Sequence, residues 1–260
     1  MPYLLTIDAG NTNTVLGIHQ GAELKAHWRL TTRREQTADE YGILVRNLFA
    51  ASGIEPGQIG GIALASVVPP LTPVLVTLAR QYLGQDPLVV EPGVRTGMPI
   101  LYEPPGDVGA DRIVNGVAAF AAYGGPVIVV DFGTATTFDV VTKKGEYLGG
   151  VICPGIGISA DALFQRAARL PRVDVRKPAT VVGRSTVGSM QAGLYFGYAS
   201  MVEGLIARIR AELGEPAKAV ATGGLAESMA ADIPSIEAVD PVLTLTGLRL
   251  IWERNRSPSR

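Results

Sequence analysis

Hydrophobic and polar positions follow the same order in two stretches of this chain. Residues 4–18 read LLTIDAGNTNTVLGI, and residues 127–141 read VIVVDFGTATTFDVV. Each stretch has a mostly apolar run, then Asp, any residue, Gly, a polar cluster and a second apolar run. The matched positions are Asp8 with Asp131, Gly10 with Gly133, and Thr14 with Thr137. This internal repeat predicts two copies of one structural unit.

The segments after each repeat also correspond. Turns at Gly21 and Gly145 lead into the strand-like stretches ELKAHWRL and EYLGGVIC, so each copy predicts a strand–turn–strand pattern. In the first copy, Thr37 and Glu40 form a capping-box signature before an amphipathic helix. A buried strand over residues 62–68 and a helix starting at Thr72-Pro73 follow it.

The second copy continues with a long predicted helix over residues 186–213, which ends at Gly214. A short strand in KAVATGG follows, and residues 245–254 predict a last helix. Residues 111–122 predict a helix between the copies. The pattern indicates two similar α/β units joined near Gly124-Gly125, with ligands expected in a cleft between them.

Composition excludes several classes of function. The 260 residues are 47% apolar and carry a net charge of -1, which favours neither nucleic acid nor an anionic membrane as partner. The short basic cluster at residues 31–34 is interpreted as a solvated face. With only His19 and His27 available, proton transfer is expected to fall to a carboxylate.

Cys153 is the only cysteine, so no disulfide can form within the chain and a thiolate metal cluster is disfavoured. We expect no signal peptide, because no basic region precedes the first apolar stretch and Asp8 interrupts it early. No uncharged apolar run approaches the ~18 residues that span a bilayer. These features predict a cytoplasmic protein.

The repeated Asp-x-Gly-polar turns are the strongest chemical signal. Glycine allows close approach of a ligand, and consecutive amides and hydroxyls can face one anion. An aspartate in such a turn can hold Mg²⁺, a water on Mg²⁺, or a monovalent cation that neutralises phosphates. The alternative is an ordinary hairpin turn whose Asp and Asn bond their own backbone. The occurrence of two matched copies favours phosphate binding.

A third stretch, GDVGADRIVNG, lies between the two turns. Asp111 is positioned to begin a helix, so it is a candidate N-cap. It can also accept a proton from a substrate hydroxyl, while Arg112 binds an acidic substrate. Both interpretations can hold together.

Two glycine-rich stretches remain. Residues 155–160 match G-x-G-x-x-A after a strand, and Asp174 lies near the spacing expected of a ribose-binding acid, which raises the alternative of an NAD-linked enzyme. A loop bordering the cleft is the preferred interpretation. Gly223 and Gly224, in ATGGLA, can pass beneath a nucleotide base or sugar, or form a plain strand-to-helix turn.

Taken together, these motifs resemble the type III pantothenate kinases, within the superfamily of acetate and sugar kinases, actin and the large heat-shock chaperones. The resemblance covers the chain from the first motif to the last helix. The stretches that carry it are DAGNTNTVLG, SVVPPLT, VGADRIVN, DFGTATTFDVV, PGIGIS, STVGSMQAGLYFGY, ATGGLA and DPVLTLTGLRLIWERN.

The resemblance implies an α/β fold of duplicated ribonuclease H-like, actin-like ATPase domains around a central cleft. Residues 1–124 would hold the first phosphate motif, and residues 125–260 the second phosphate and adenosine motifs. The implied function is phosphorylation of pantothenate by ATP to 4'-phosphopantothenate, the first step of coenzyme A synthesis. A non-catalytic regulator on the same scaffold is the alternative.

The resemblance also implies roles for individual residues, with Asp111 as the catalytic base. ATP would bind the first turn, Thr134 and the glycine pair, that is Asp8, Ala9, Gly10, Asn11, Thr12, Asn13, Thr14, Val15, Thr134, Gly223 and Gly224. Pantothenate would contact Tyr102, Gly109, Ala110, Asp111, Arg112 and Thr186. Asp131 would bind a monovalent cation, K⁺ or NH₄⁺, and Asp8 would hold Mg²⁺ directly or through water. Family members are homodimers, so we expect a homodimer.

Overall fold

The computed structural model describes residues 2–256 and divides the chain into two compact units. The first unit comprises Met1–Ala118 with Leu243–Arg260, and the second comprises Ala119–Val242. The strands are β1 (Tyr3–Ala9), β2 (Asn13–Gln20), β3 (Glu23–Thr31), β4 (Ile59–Ser66), β5 (Leu88–Val89), β6 (Val127–Phe132), β7 (Ala135–Val141), β8 (Tyr147–Pro154), β9 (Lys218–Thr222) and β10 (Ile236–Val239). The helices are α1 (Ala38–Ala51), α2 (Thr72–Leu83), α3 (Ala110–Tyr123), α4 (Ile156–Arg166), α5 (Thr186–Leu213), α6 (Ala226–Ala230) and α7 (Leu243–Arg256), and short 3-10 helices span Pro56–Gln58 and Pro105–Asp107.

The first unit contains a five-stranded sheet in the order β3-β2-β1-β4-β5. β1 pairs antiparallel with β2 and parallel with β4. Most residues of β1 and β4 are apolar and buried, as expected of strands in the middle of a sheet. Apolar side chains of α1 and α2 complete the core beside them. β3 lies at the edge and alternates between exposed and half-buried positions. Its exposed positions carry charged and polar residues, which discourages pairing with another strand.

The second unit repeats this topology. Its sheet has the order β10-β9-β6-β7-β8, with β6, β7 and β8 antiparallel and β9 and β10 parallel to β6. The long helix α5 buries one side against β6 and β9. Two mixed sheets of the same order confirm the predicted duplicated α/β fold.

The repeat differs in one respect from the sequence alignment. The loop between β1 and β2 covers residues 10–12, whereas the loop between β6 and β7 covers only residues 133–134. Thr14 therefore lies opposite Ala9, and its counterpart Thr136 lies opposite Phe132. The predicted equivalence of Thr14 with Thr137 is wrong by one residue, because the first loop is one residue longer than the second.

Most predicted helices are found at their expected places. The helix expected over residues 111–122 is α3, that over residues 186–213 is α5, and that over residues 245–254 lies within α7. The capping box of Thr37 and Glu40 begins α1. Helix α7 packs on β1 and β4, so it groups with the first unit, whereas domain limits of 1–124 and 125–260 place it in the second half. Within residues 2–256, no helix has both the length and the apolarity needed to cross a membrane.

Candidate active site

The first Asp-x-Gly motif forms the tight turn of the β1–β2 hairpin. Gly10 donates its N–H to the Asn13 carbonyl at 3.0 Å, which closes the loop. Asp8 is half-buried one residue before the end of β1, and Asn11 and Thr12 are exposed at the tip. We call residues 8–15 the first phosphate turn.

Thr32, which directly follows β3, stabilises this turn with hydrogen bonds. Its N–H donates to the Thr12 carbonyl at 2.9 Å, and its hydroxyl donates to the Gly10 carbonyl at 2.7 Å. The same hydroxyl lies 2.9 Å from the hydroxyl of buried Thr14. Thr32 thus binds the carbonyls of Gly10 and Thr12 within the turn. Sequence analysis missed Thr32; its signal was a hydroxyl one residue beyond a strand that pairs with β2.

A positive charge also lies at this turn. Arg34 is exposed, as the interpretation of residues 31–34 as a solvated face predicts. Its Nη2 also donates to Oδ1 of Asn11 at 3.1 Å, a contact that sequence analysis did not foresee. The first phosphate turn contains no lysine or arginine, so Arg34 brings to it a cation from another part of the chain.

The second Asp-x-Gly motif forms the corresponding turn between β6 and β7. Gly133 donates its N–H to the Ala135 carbonyl at 3.1 Å, and Gly155 donates its N–H to the Thr134 carbonyl at 3.0 Å. The backbone N–H of Gly155 thus stabilises the second turn, as the backbone N–H of Thr32 stabilises the first. Thr134 is exposed at the tip.

Asp131 lies at the base of the second turn, half-buried and beside the end of β9. Gly223, with φ of +93°, packs so closely on Asp131 that a side chain at position 223 would collide with the carboxylate. The second unit therefore brings together Asp131, Thr134 and the ATGGLA turn that contains Gly223 and Gly224.

The same geometry rules out the NAD interpretation of residues 155–160. A dinucleotide fingerprint needs a parallel strand–helix–strand unit. β8, which precedes this stretch, is antiparallel to β7, and the next regular element after α4 is the helix α5. Gly155 supports the second turn instead.

Helix α3 begins at Ala110, one residue earlier than expected, so Asp111 is its second residue and the prediction of Asp111 as the N-cap is wrong. Its carboxylate accepts the Arg112 N–H at 2.8 Å. Burial raises the pKa of the Asp111 carboxyl above its ordinary value, although this hydrogen bond and the Arg112 charge act in the opposite direction. A carboxylate with a raised pKa is a better proton acceptor. Arg112 is itself buried, with 8% exposure.

The packing around Gly109 places Asp111 near Val67, which contacts the first phosphate turn. Val67, in the SVVPPLT stretch, donates its N–H to the Ala9 carbonyl at 3.0 Å. A side chain at Gly109 would lie 3.5 Å from Val67 and only 2.6 Å from the Asp111 carboxylate. The three segments of the first unit thus pack around Gly109, where no side chain fits without moving Asp111.

The remaining predicted residues lie on different segments. Tyr102 is half-buried in the loop before α3, and the start of that loop is tied to α7 by hydrogen bonds between Arg95 and Asn255. Thr186 is the exposed first residue of α5, after the N-cap Ser185. The structure thus places Thr186 on the second unit and Tyr102 on the first.

No three His, Cys, Asp or Glu side chains cluster as a metal cage within residues 2–256. Asp8 and Asp131 are single half-buried carboxylates beside polar turns. A single carboxylate such as that of Asp8 fits Mg²⁺, which proteins commonly bind through one or two carboxylates together with substrate phosphates.

The two sheets and their polar hairpin turns define a class, the actin-like ATPase fold that sugar kinases share. A solved structure of the same fold is an inorganic polyphosphate/ATP-glucomannokinase from Arthrobacter sp. strain KM. It is 16% identical, with a TM-score of 0.52 over 98% of this chain and 100% of that chain.

Sequence comparison defines the family. Residues 4–208 match the profile of the family described as type III pantothenate kinase. Type III pantothenate kinase of Moorella thermoacetica is 58% identical over 97% of this chain and 99% of its own length. That of Koribacter versatilis is 57% identical over 99% of this chain and 97% of its own length. The chain belongs to the type III pantothenate kinase family.

Proposed function

We propose that the chain transfers the γ-phosphoryl group of ATP in line to the hydroxyl of pantothenate, with Asp111 as the proton acceptor. Family membership assigns the reaction itself: the chain has pantothenate kinase activity, the first step of coenzyme A biosynthesis, which yields 4'-phosphopantothenate. The observation that supports the mechanism is the half-buried Asp111 carboxylate, whose pKa is raised by desolvation and which lies beside Gly109 and near Val67, a residue whose N–H donates to the first phosphate turn.

Positioning supplies most of the rate in phosphoryl transfer. The first phosphate turn, residues 8–15, would hold the phosphates of ATP with its amides and hydroxyls. Thr134 would contact the nucleotide from the second turn, and Gly223 and Gly224 would lie beneath its base or sugar. Asp111 would take the hydroxyl proton as the γ-phosphoryl group leaves ADP.

Pantothenate carries a carboxylate, and Arg112 is the buried cation beside the base. We assign the acceptor to Arg112 together with Gly109, Ala110, Tyr102 and Thr186. A charge-assisted hydrogen bond from a buried guanidinium is stronger than a neutral one, so it would fix the acceptor firmly.

Asp8 would hold Mg²⁺, directly or through water, and Asp131 a monovalent cation, K⁺ or NH₄⁺. When bound, these cations neutralise the negative charge of the phosphates. Both carboxylates lie at the bases of the polar turns, which supports this assignment.

We further propose that the enzyme is a cytoplasmic homodimer. The support is the edge strand β8, whose outward residues Leu148 and Ile152 are 42% and 61% exposed. The second unit exposes more apolar side chains on α4, namely Ile158, Leu163 and Phe164. An exposed apolar surface of this kind is typical of an interface, and a second copy of the chain is the partner that the family implies.

The reaction is tested by following ADP release with pantothenate as acceptor, and by identifying the product by phosphorus NMR. We expect ADP release that requires pantothenate and a phosphomonoester on its hydroxyl. Release that is the same without pantothenate, or with a sugar in its place, would contradict the proposal.

A further inference from the structure

Hydrogen bonds hold the segment between β3 and α1 in place beside the first phosphate turn. Thr32 is fixed by three hydrogen bonds to the turn, and the Arg33 N–H donates to the hydroxyl of buried Tyr41 at 3.5 Å. The Gln36 N–H closes a tight turn on the Arg33 carbonyl at 3.3 Å. Arg34 lies inside this closed turn, so its position follows from anchored backbone on both sides.

Two neighbouring arginines, Arg33 and Arg34, lie in this segment. The Arg34 guanidinium donates to Oδ1 of Asn11 at 3.1 Å. Hydrogen bonds from the Thr37 backbone and hydroxyl lower the pKa of the Glu40 carboxyl, and the charge of Arg33 adds a smaller contribution in the same direction. Arg34 therefore contacts the first phosphate turn directly.

The Arg34 contact fixes the orientation of the Asn11 amide. A guanidinium has five N–H donors and no acceptor, so only the amide oxygen of Asn11 can face it. The amide NH₂ then points away from Arg34. An NH₂ group can donate to a phosphate oxygen, whereas an amide oxygen turned toward a phosphate would repel it.

We infer that Arg34 is a positioning residue for ATP: it holds Asn11 with its NH₂ available to the phosphates and adds one positive charge beside the first phosphate turn. This role rests on the proposed binding of ATP phosphates at residues 8–15. It supplies the charge that a phosphate loop ordinarily takes from its own lysine.

The test compares Arg34→Gln with Arg33→Gln, which removes the same charge one residue earlier. Calorimetric titration with ATP in the absence of pantothenate is expected to show about tenfold weaker binding for Arg34→Gln, the effect of one charge-assisted hydrogen bond. Arg33→Gln should change ATP binding less than twofold. Both variants should bind adenosine like the parent protein and keep its melting temperature.

A double-mutant cycle tests whether Arg34 acts through the amide. If it does, Arg34→Gln combined with Asn11→Ala weakens ATP binding by less than the product of the two single effects. Equal ATP binding by Arg34→Gln and Arg33→Gln, multiplicative effects in the cycle, or an equal loss of adenosine binding would each overturn the inference.

The titration separates this inference from the proposed function. It needs no acceptor, so a parent protein that binds ATP but fails to phosphorylate pantothenate would overturn the proposed reaction alone. A parent protein that phosphorylates pantothenate, with no difference between the two arginine variants, would overturn the role of Arg34 alone.

Discussion

Thr32 and Gly155 occupy the same place in the two copies of the repeat. Each directly follows the third strand of its hairpin pair, and each donates a backbone N–H to a carbonyl at the tip of the phosphate turn, Thr12 in the first copy and Thr134 in the second. Only Thr32 adds a side-chain hydroxyl to this support. The first turn, which is one residue longer, thus has the additional hydrogen bonds.

Replacing Thr32 by Val should weaken ATP binding several-fold, because the hydroxyl bonds to Gly10 and Thr14 are lost while the backbone bond remains. A net loss of stability of about 1–2 kcal/mol should accompany it. Titration with ATP and urea unfolding measure the two effects. Thr31→Val, at the exposed neighbouring position, is the control and should change neither; equal effects of both substitutions would contradict the support role.

His19 predicts a dependence of stability on pH. It is 2% exposed in β2, and neither ring nitrogen has a hydrogen-bond partner among residues 2–256. Burial, with a smaller contribution from the Arg249 charge, lowers the pKa of His19 from 6.5 to about 4. Between these values the unfolded chain binds a proton that the folded protein does not, so stability falls as the pH is lowered from about 6.5 towards 4.

The free energy of unfolding should therefore be about 2.5 kcal/mol lower at pH 4.5 than at pH 7.5 through His19 alone. Urea unfolding of His19→Leu should lack this part of the pH dependence. The exposed His27 is the matched control, and His27→Gln should keep it. An unchanged pH profile in His19→Leu would show that His19 is not its source.

Asp131 predicts a dependence on the monovalent cation. If its carboxylate holds K⁺ beside the phosphates, turnover should change several-fold when Na⁺ replaces K⁺ at constant ionic strength. Asp131→Asn should be slow in both salts. A rate that is the same in K⁺ and Na⁺ would reject the cation role.

The edge strands β3 and β8 occupy matching places in the two sheets, so their side chains can be compared position by position. Since Asp8 pairs with Val15 and Asp131 with Thr137, the registers make Arg29 of β3 the counterpart of Ile152 of β8. In the same way Lys25 corresponds to Leu148. The first edge is therefore protected by charge, and the second edge presents apolar side chains where a partner is expected.

Introducing a charge on the apolar edge strand β8 should change the oligomeric state. Ile152→Arg introduces at β8 the residue found at the matching position of β3, and we expect a monomer by size-exclusion chromatography with light scattering. Arg29→Gln, on the first edge, should remain a dimer. A dimer that persists in Ile152→Arg at the same concentration would exclude β8 from the interface.

Across the whole molecule, the sequence predicted those structural features that depend on local patterns of apolar and turn residues. The repeat, the hairpins, α3, α5 and the capping box of α1 follow from apolar periodicity and turn residues that lie close together in the chain. The roles of Thr32 and Arg34 depend on the pairing of β2 with β3, which brings residues about twenty positions apart to one turn. The packing of α7 on the first sheet depends on contacts between distant parts of the chain, so it has no local signal in the sequence.

The central claim is that Asp111 is the base of phosphoryl transfer, and Asp111→Asn tests it most directly. The amide keeps the size of the carboxylate but cannot accept the hydroxyl proton. Asp107→Asn, at an exposed acid in the preceding loop, is the control. The measurement is kcat for pantothenate-dependent ADP release at saturating ATP, with circular dichroism and ATP titration to check folding and nucleotide binding. We expect kcat to fall ~10²–10⁴-fold in Asp111→Asn, with unchanged folding and ATP binding and near-normal turnover in Asp107→Asn. Turnover close to that of the parent protein in Asp111→Asn would contradict the mechanism.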